Sequence, residues 1–192
     1  MGKVFVRKTM SLDGFIADKD DGVGRLMGWY RQGDIEYALP DGMLFKLSAA
    51  SLAWFREMIE TTGAIVGGRR DYDVSQYGEE HPMGIPHFVV THHPPEKKPN
   101  EWFEFVTDGV ENAIKQATVA AGEKNVVVTG AKIVQQALKA GLLDEVRIDL
   151  APVLIGGGVR LFEHFGDGPV ELEPVAVIEG QGVTHLRYGV VG

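Results

Sequence analysis

Two glycine turns, each placed between a short apolar strand and a helix, constrain the fold of this chain more than any other feature. Residues 67–70 (Gly-Gly-Arg-Arg) follow the apolar residues 64–66, and residues 129–132 (Thr-Gly-Ala-Lys) close the valine-rich residues 125–129. Alternating strands and helices are typical of α/β proteins with a mainly parallel sheet. The carboxyl ends of such strands form one edge, where ligands bind. The sequence therefore predicts an α/β fold with both turns on one ligand-binding rim.

An amphipathic helix precedes the first turn. Apolar side chains recur at helical spacing through residues 52–59, which predicts a helix packed on the sheet. Ser48 or Ser51 can cap its start, and Gly63 is expected to end it. A second, short helix is predicted at residues 71–77, directly after the turn.

The last two predicted strands, residues 172–179 and 184–190, have no helix between them. Gly-Gln-Gly at residues 180–182 separates them, which is a hairpin signal. The sheet is therefore expected to end in an antiparallel edge. Neither an internal repeat nor a linker divides the sequence, so we predict a single domain of residues 1–192.

Composition excludes several classes of protein. The 192 residues include no cysteine, which excludes disulfides, thiolate metal sites and a cysteine nucleophile. A formal net charge of -8 argues against nucleic acid or an anionic membrane as a partner. His92 and His93 are adjacent in a loop without a third ligand at a useful spacing, so no metal site is expected. With neither a signal-peptide pattern nor an apolar run near the roughly 20 residues of a membrane span, a soluble cytoplasmic protein is expected.

Residues 26–45 show no clear periodicity, and they hold Trp29 and Tyr30 among glycines. An irregular stretch of this length is usually a binding loop or a lid. Its aromatic side chains could cover a flat ligand, or they could hold the segment against the body of the protein. The sequence leaves both interpretations open.

The first glycine turn carries the side chains expected at a phosphate site. Arg69 and Arg70 supply planar, permanently charged groups, and glycines let the backbone approach a ligand. A helix start offers N–H groups to an anion, so a diphosphate could bridge the two turns. The arginine pair suits the third phosphate that distinguishes NADP from NAD. The alternative is a plain strand-to-helix turn with surface arginines. Neither turn has the Gly-x-Gly-x-x-Gly pattern, so the usual dinucleotide-binding fold is not expected.

Several short motifs occur in a characteristic order along the chain. They are residues 11–17 (Ser-Leu-Asp-Gly-Phe-Ile-Ala), 52–55 (Leu-Ala-Trp-Phe), 68–70 (Gly-Arg-Arg), 127–132 (Val-Val-Thr-Gly-Ala-Lys) and 152–158 (Pro-Val-Leu-Ile-Gly-Gly-Gly). As an ordered set they resemble the dihydrofolate reductase fold, and more closely its RibD C-terminal-domain branch. The resemblance implies a three-layer α/β/α fold with a mostly parallel central sheet and an antiparallel C-terminal edge. It also implies NADPH as the cofactor, a small-molecule substrate and a homodimer.

The resemblance assigns cofactor-binding roles to three groups of residues. Backbone groups near the nicotinamide, the 2′-phosphate turn and the diphosphate turn would together hold NADPH. Asp71 stands where this family often has threonine, and its carboxylate would repel phosphate. The implied cofactor-binding residues are Thr9, Ile16, Ala17, Gly68, Arg69, Arg70, Thr129, Gly130, Ala131, Lys132 and Ile133.

Two catalytic positions depart from the family pattern. Folate reductases of this fold carry an acid just before the Leu-Ala-Trp-Phe motif, where this chain has Ser51. A tyrosine expected near the nicotinamide is replaced by Val134. Asp149 could replace the missing acid if it points into the pocket; otherwise it is an outward residue that pairs with solvent or Arg147. The candidate catalytic residues are therefore Asp149 and Ser51.

These observations favour an NADPH-dependent oxidoreductase. Hydride would pass to a C=N or C=O bond of a small heterocycle, pterin-like or pyrimidine-like, that lies under residues 26–45. Asp13, Trp54 and Phe45 are candidate substrate contacts, although Asp13 could instead cap its turn and Trp54 could fill the core. The alternatives are the riboflavin-pathway 5-amino-6-(5-phosphoribosylamino)uracil reductase and a non-catalytic nucleotide-binding module.

Overall fold

The computed structural model describes residues 2–39, 42–75, 83–166 and 168–192. Within these ranges the helices are α1 (Ala49–Thr61), α2 (Arg69–Ser75), α3 (Val110–Ala121) and α4 (Ala131–Lys139), with a 3-10 helix at Leu26–Tyr30. The strands in the same ranges are β1 (Val4–Ser11), β2 (Phe15–Ala17), β3 (Ile35–Ala38), β4 (Leu44–Leu47), β5 (Thr62–Gly68), β6 (His87–Val90), β7 (Phe103–Val106), β8 (Asn125–Val128), β9 (Glu145–Ala151), β10 (Val159–Arg160), β11 (Leu172–Gly180) and β12 (Val183–Val190). None of the helices in the described ranges has the length and apolar composition needed to cross a bilayer.

One eight-stranded sheet organises the fold, in the order β11-β12-β9-β1-β8-β5-β6-β7. The strands from β9 to β7 run parallel to one another, because helices or loops return the chain to the same end between them. The hairpin of β11 and β12 is antiparallel and joins the sheet through β9. The predicted α/β class, with a mostly parallel sheet and an antiparallel C-terminal edge, is confirmed.

The sheet is covered on both faces, because successive residues of each strand point to opposite sides. Val6 and Val128 pack into the core that α3 and α4 close. Phe5 and Val127, one position away, lie on the other face, where α1 contributes Met58. The chain therefore has three layers, with helices on either side of the sheet.

The start of α1 is as predicted, but its end is not. Ser48 is the cap, and its hydroxyl accepts a hydrogen bond from the Ser51 N–H at 3.2 Å. The helix stops at Thr61, and Gly63 lies inside β5. A Cβ at Gly63 would lie 2.9 Å from Ala121 Cα. Gly63 is thus required for close packing of β5 against α3, and it does not end a helix. Of the second predicted helix, residues 76–77 lie outside the described residues.

The prediction of irregular structure at residues 26–45 is wrong for the described part of that segment. It forms the 3-10 helix and most of a β3–β4 hairpin. Trp29 is only 2% exposed, and Phe45 packs with it against α1. Burial of these aromatic rings stabilises regular structure in the segment, although its glycine-containing sequence shows no periodicity. Of the two interpretations, the structure supports aromatics that hold the segment to the body of the protein.

Candidate active site

A cleft of about 810 Å³ opens at the carboxyl edge of the parallel strands. Its walls come from β1, β2, β5 and β6 and from the first turns of α2 and α4. This volume is within the range of small-molecule binding sites. The described residues that line it are Lys8, Ile16, Ala17, Asp21, Val23, Gly68, Arg69, Arg70, Asp71, Val74, Val90, Thr91, His92, His93, Thr107, Gly109, Gly130, Ala131, Lys132, Ile133, Gln136 and Val159.

The two glycine turns meet on the rim of this cleft, as the sequence predicts. Gly130 has φ +80°, a conformation that favours glycine. A Cβ there would lie 3.3 Å from Asp71 Cβ and 3.4 Å from the Gly68 amide nitrogen. A Cβ on Gly68 would lie 3.1 Å from Ile133 Cγ1. The turns therefore pack closely together at these glycines, and both Gly68 and Gly130 line the cleft.

Both arginines of the first turn are held by carboxylates at the mouth of the cleft. Arg69 Nε lies 2.8 Å from Asp73 Oδ1, and its Nη1 donates to the carbonyl of His93 at 2.8 Å. Arg70 approaches Asp21 through two nitrogens, at 2.6 Å and 3.2 Å. These pairs are exposed, so each contributes about 0–1 kcal/mol and can exchange for another anion.

The lining of the cleft is positively charged, although the chain as a whole is acidic. Four Lys or Arg side chains line it against two Asp carboxylates, whereas the chain has a formal charge of -8. Lys132, at the start of α4, has no ion-pair partner among the described residues. The distribution of charge suits an anionic ligand.

Most of the predicted cofactor-binding residues lie in this cleft. Ile16 and Ala17 line one wall, and the residues from both glycine turns line the others. Thr9 and Thr129 are buried and do not line it. Thr9 is on the face of β1 opposite to Lys8, because neighbouring residues of a strand alternate. Whether any of these residues binds a cofactor stays a prediction.

A buried polar network lies on the α1 face of the sheet, away from the cleft. Asp149 Oδ1 accepts hydrogen bonds from Trp54 Nε1 at 2.8 Å and from His185 Nδ1 at 2.7 Å. The other ring nitrogen of His185 lies 2.9 Å from Ser51 Oγ. Gly180 packs so closely against these hydrogen-bonded side chains that a Cβ there would overlap the Ser51 hydroxyl. The two predicted catalytic residues are thus connected, through a histidine that links them.

Arg7 supplies the positive charge that this network needs. Its Nη2 forms an ion pair with Asp149 Oδ2 at 2.9 Å, and both side chains are buried. Burial alone would raise the pKa of Asp149, but the charge of Arg7 and the hydrogen bonds from His185 and Trp54 outweigh it and leave that pKa below its ordinary value. Burial raises the pKa of Tyr30, next to Arg7 and Thr9, to about 12. At neutral pH the network therefore contains an ionised Asp149 and a neutral Tyr30.

The predicted catalytic residues and two of the predicted substrate residues lie outside the cleft. Ser51, Trp54 and Asp149 are buried in the polar network, and Phe45 lies in the apolar cluster around Trp29. Asp149 points inward, and it pairs with Arg7 and not with Arg147. The roles proposed for these side chains in catalysis and substrate binding stay predictions, and none of them lines the cleft.

Asp13 joins two loops, whereas the alternative that the sequence left open for it was a cap of its own turn. Its carboxylate accepts hydrogen bonds from Ser11 Oγ at 2.6 Å and from the Gly156 N–H at 2.7 Å. The Ile155 N–H also donates to it, at 3.1 Å. The Ser11 hydroxyl, followed by these backbone donors, lowers the pKa of Asp13 to about 2. This side chain fixes the glycine-rich residues 156–158 next to the turn after β1.

Sequence reasoning missed Arg7, Lys8 and His185. Arg7 and Lys8 are adjacent on β1 and His185 follows Thr184 on β12, so neither strand alternates strictly between polar and apolar residues. The neighbouring strand β9 does alternate, which was a signal for a polar face, but ordinary amphipathic strands show it too. The register supplies the missing information, since it places His185 directly opposite Asp149.

Comparison with known proteins shows a family and a fold. A family model described as the RibD C-terminal domain matches residues 2–184. A Shewanella sp. PV-4 protein named provisionally for riboflavin biosynthesis has 23% identity and a TM-score of 0.72, with 99% of each chain covered. No curated protein matches the chain.

Two further solved structures share the fold. The Thermotoga maritima diaminohydroxyphosphoribosylaminopyrimidine deaminase/5-amino-6-(5-phosphoribosylamino)uracil reductase has 15% identity and a TM-score of 0.69, and the match covers 99% of this chain and 57% of that one. Enterococcus faecalis dihydrofolate reductase, complexed with NADP(H) and RAB-propyl, has 16% identity and a TM-score of 0.61, with 100% and 98% covered. At these identities the likeness shows the fold alone.

Proposed function

The chain belongs to the RibD C-terminal domain family, and on that premise we propose that it is an NADPH-dependent reductase of a small heterocyclic substrate. The cofactor would lie in the cleft at the carboxyl edge of the sheet. The substrate would be pterin-like or pyrimidine-like and would present a C=N or C=O bond. The observation that carries the proposal is the pair of glycine turns that meet on the rim of a positively charged cleft.

The residues present in the cleft fit a dinucleotide phosphate. Gly68 and Gly130 line the cleft and bring main chain to its rim, at positions where a Cβ would be tightly packed against neighbouring atoms. The N-terminal turn of α4 presents backbone N–H groups next to Lys132. Arg69 and Arg70 stand at the mouth, where their planar groups suit a phosphate monoester. The Enterococcus faecalis structure of the same fold is complexed with NADP(H), which supports this choice of cofactor.

The chain's own residues would bind and orient the reactants. NADPH supplies the hydride when it is bound. Ile16 and Ala17 offer an apolar wall on which a flat ring can rest. Asp149 is ionised and paired with Arg7, so it is a poor proton donor at neutral pH. We infer that its task is to hold α1 against the sheet, and that a proton required by the product comes from water or from another group.

One observation favours a second candidate function, a nucleotide-binding module without catalysis. The side chains that replace the folate-reductase acid have protein partners for their polar atoms, and none lines the cleft. Such a protein would bind NADPH without consuming it. The riboflavin-pathway reductase, an activity that the Thermotoga maritima protein carries in its name, is a third candidate and requires a clamp for the substrate's phosphate.

Two measurements test the proposal. Isothermal titration with NADPH and NADH should show tighter binding of NADPH, and Arg69→Ala should reduce that preference. Loss of the nicotinamide absorbance should then be followed with a panel of pterins, ribosylaminopyrimidine phosphates and simple carbonyl compounds. Consumption of NADPH with any of them supports the reductase. Binding without consumption favours the nucleotide-binding module, and absence of binding to either dinucleotide refutes both.

A further inference from the structure

Lys8 and Asp71 form an ion pair inside the cleft. Lys8 extends from β1 and Asp71 from the first turn of α2, and Lys8 Nζ lies 2.8 Å from Asp71 Oδ1. The side chains are 22% and 16% exposed, respectively, so the pair is much less accessible than the arginine pairs at the mouth. Both residues line the cleft. Neither was assigned a favourable role from the sequence, and Asp71 was expected to repel phosphate.

The pair lies between the two glycine turns. A Cβ on Gly67 would be 3.7 Å from Asp71 Oδ2, and a Cβ on Gly130 would be 3.7 Å from Asp71 Cγ. The carboxylate of Asp71 therefore lies close to both turns. Because the ammonium group of Lys8 is bound to that carboxylate, it too lies close to both glycine turns. A diphosphate that bridged the two turns would meet this ammonium group.

We propose that Lys8 is the cation that binds the diphosphate shared by NADPH and NADH, and that Asp71 positions its ammonium group between the two turns. This inference rests on the proposed binding of NADPH in the cleft. A half-buried ammonium group is screened less by salt than an exposed one, so its attraction for phosphate is stronger than that of a surface lysine. Lys8 then contributes to the affinity for either dinucleotide, whereas the arginines at the mouth contribute to the preference for NADPH.

A simpler role for Lys8 would be to neutralise Asp71 and nothing more. The two roles are separated by comparing the single variant Asp71→Asn with the double variant Lys8→Met/Asp71→Asn, since neither has the carboxylate that needs a counter-charge. Isothermal titration of each purified protein with NADPH and with NADH, at constant ionic strength, measures the affinities directly. Asp71→Asn should bind both dinucleotides at least as tightly as the wild-type protein, because the amide oxygen can still accept a hydrogen bond from Lys8 and hold its ammonium group in place, while the negative charge next to the phosphates is gone.

Removing Lys8 from the Asp71→Asn protein should weaken binding of NADPH and NADH by about tenfold each, the loss expected for one charge-assisted hydrogen bond. The ratio of the two affinities should stay as it was. Equal binding by the single and double variants overturns the proposal, because Lys8 would then act only on Asp71. A loss confined to NADPH also overturns it, because Lys8 would then face the 2′-phosphate.

Two controls keep the result interpretable. Lys115→Met removes an exposed lysine of α3, outside the cleft, and should leave both affinities unchanged. Thermal unfolding without cofactor should show that each variant is folded at the temperature of the titration. If the wild-type protein binds neither dinucleotide, the proposed function fails and this inference with it. If the wild-type protein binds and only the effect of Lys8 is missing, this inference fails alone.

Discussion

Nδ1 of His185 lies 2.7 Å from Oδ1 of Asp149, and the two residues are directly opposite each other in the antiparallel pairing of β12 with β9. Because an ionised carboxylate can only accept, the Nδ1–H of His185 donates. Its Nε2 then faces the Ser51 hydroxyl of α1 at 2.9 Å. One histidine thus ties the C-terminal hairpin, a central strand and a helix together in the interior of the domain.

Replacement of Asp149 by asparagine should destabilise the protein strongly. The carboxylate is 1% exposed, and its removal leaves the buried guanidinium of Arg7 without a counter-charge. Removing one partner of a buried ion pair typically costs about 3–5 kcal/mol of unfolding free energy. Urea unfolding of the wild-type and Asp149→Asn proteins at neutral pH measures the difference.

Glu173→Gln is the matched control for this change, because it also converts a carboxylate into an amide on a strand. Glu173 is exposed on β11, so its replacement should alter the unfolding free energy by less than about 0.5 kcal/mol. If Asp149→Asn were as stable as Glu173→Gln, the network around Asp149 would not contribute to the stability of the fold.

Asp13 should make stability depend on acid pH. Its pKa is lowered from 3.8 to about 2 by the Ser11 hydroxyl and the N–H groups of Gly156 and Ile155. A carboxylate with a lowered pKa stabilises the folded state fully above its unfolded pKa, and this contribution is lost as the pH falls through the folded pKa. The difference in unfolding free energy between wild type and Asp13→Asn should therefore be constant above about pH 4. It should shrink between there and about pH 2.

Urea unfolding at a series of pH values tests this expectation, with Asp20→Asn as the control. Asp20 is an exposed carboxylate of the neighbouring loop for which the structure shows no ion pair among the described residues. Its replacement controls for the loss of one negative charge from this region of the protein. A difference for Asp13→Asn that does not change between pH 2 and pH 6 would contradict the lowered pKa.

The fold and the cleft could be predicted because their signals are local. Strands ending at Gly68 and at Val128 and helices starting at Arg69 and Ala131 are visible from short apolar runs and glycines. Parallel strands place their carboxyl ends together whatever the register. The prediction that the two turns share one rim therefore needed no knowledge of individual contacts.

The polar network could not be predicted, because it depends on register and on side chains far apart in sequence. His185 and Asp149 are 36 residues apart, and Asp149 and Trp54 are 95 residues apart. A shift of one residue in the pairing of β12 would turn His185 to the other face of the sheet. Order in residues 26–39 was missed for a related reason, since burial of Trp29 stabilises a segment without helical or strand periodicity.

Asp21 should weaken the binding of NADPH, because its carboxylate is paired with Arg70, the side chain proposed to bind the 2′-phosphate. Arg70 Nη2 lies 2.6 Å from Asp21 Oδ1, and a ligand phosphate would have to displace this pair. Asp21→Asn should therefore tighten NADPH binding by up to about fivefold, the worth of an exposed ion pair. NADH binding should change little. Isothermal titration with both dinucleotides checks the difference, and Asp20→Asn again controls for the loss of one charge in this loop.

An equal gain for NADH would show that Asp21 acts through the general field of the cleft and not through Arg70. No gain for either dinucleotide would show that the Arg70–Asp21 ion pair does not compete with NADPH binding. The measurement should be repeated at higher salt, where the effect of Asp21→Asn should diminish because the pair is exposed.

Alanine at Gly130 should impair both stability and cofactor binding. Gly130 has φ +80°, where a side chain costs about 1–2 kcal/mol, and its Cβ would lie 3.3 Å from Asp71 Cβ and 3.4 Å from the Gly68 nitrogen. Gly141→Ala is the matched control, since Gly141 has φ +66° and a Cβ there meets no atom within 4 Å. Both variants should lose a similar amount of unfolding free energy from backbone strain. Only Gly130→Ala should also weaken NADPH binding, because the new methyl group presses on Asp71 and Gly68 and moves the two turns apart. If Gly130→Ala bound NADPH as tightly as Gly141→Ala does, the second turn would not hold the cofactor.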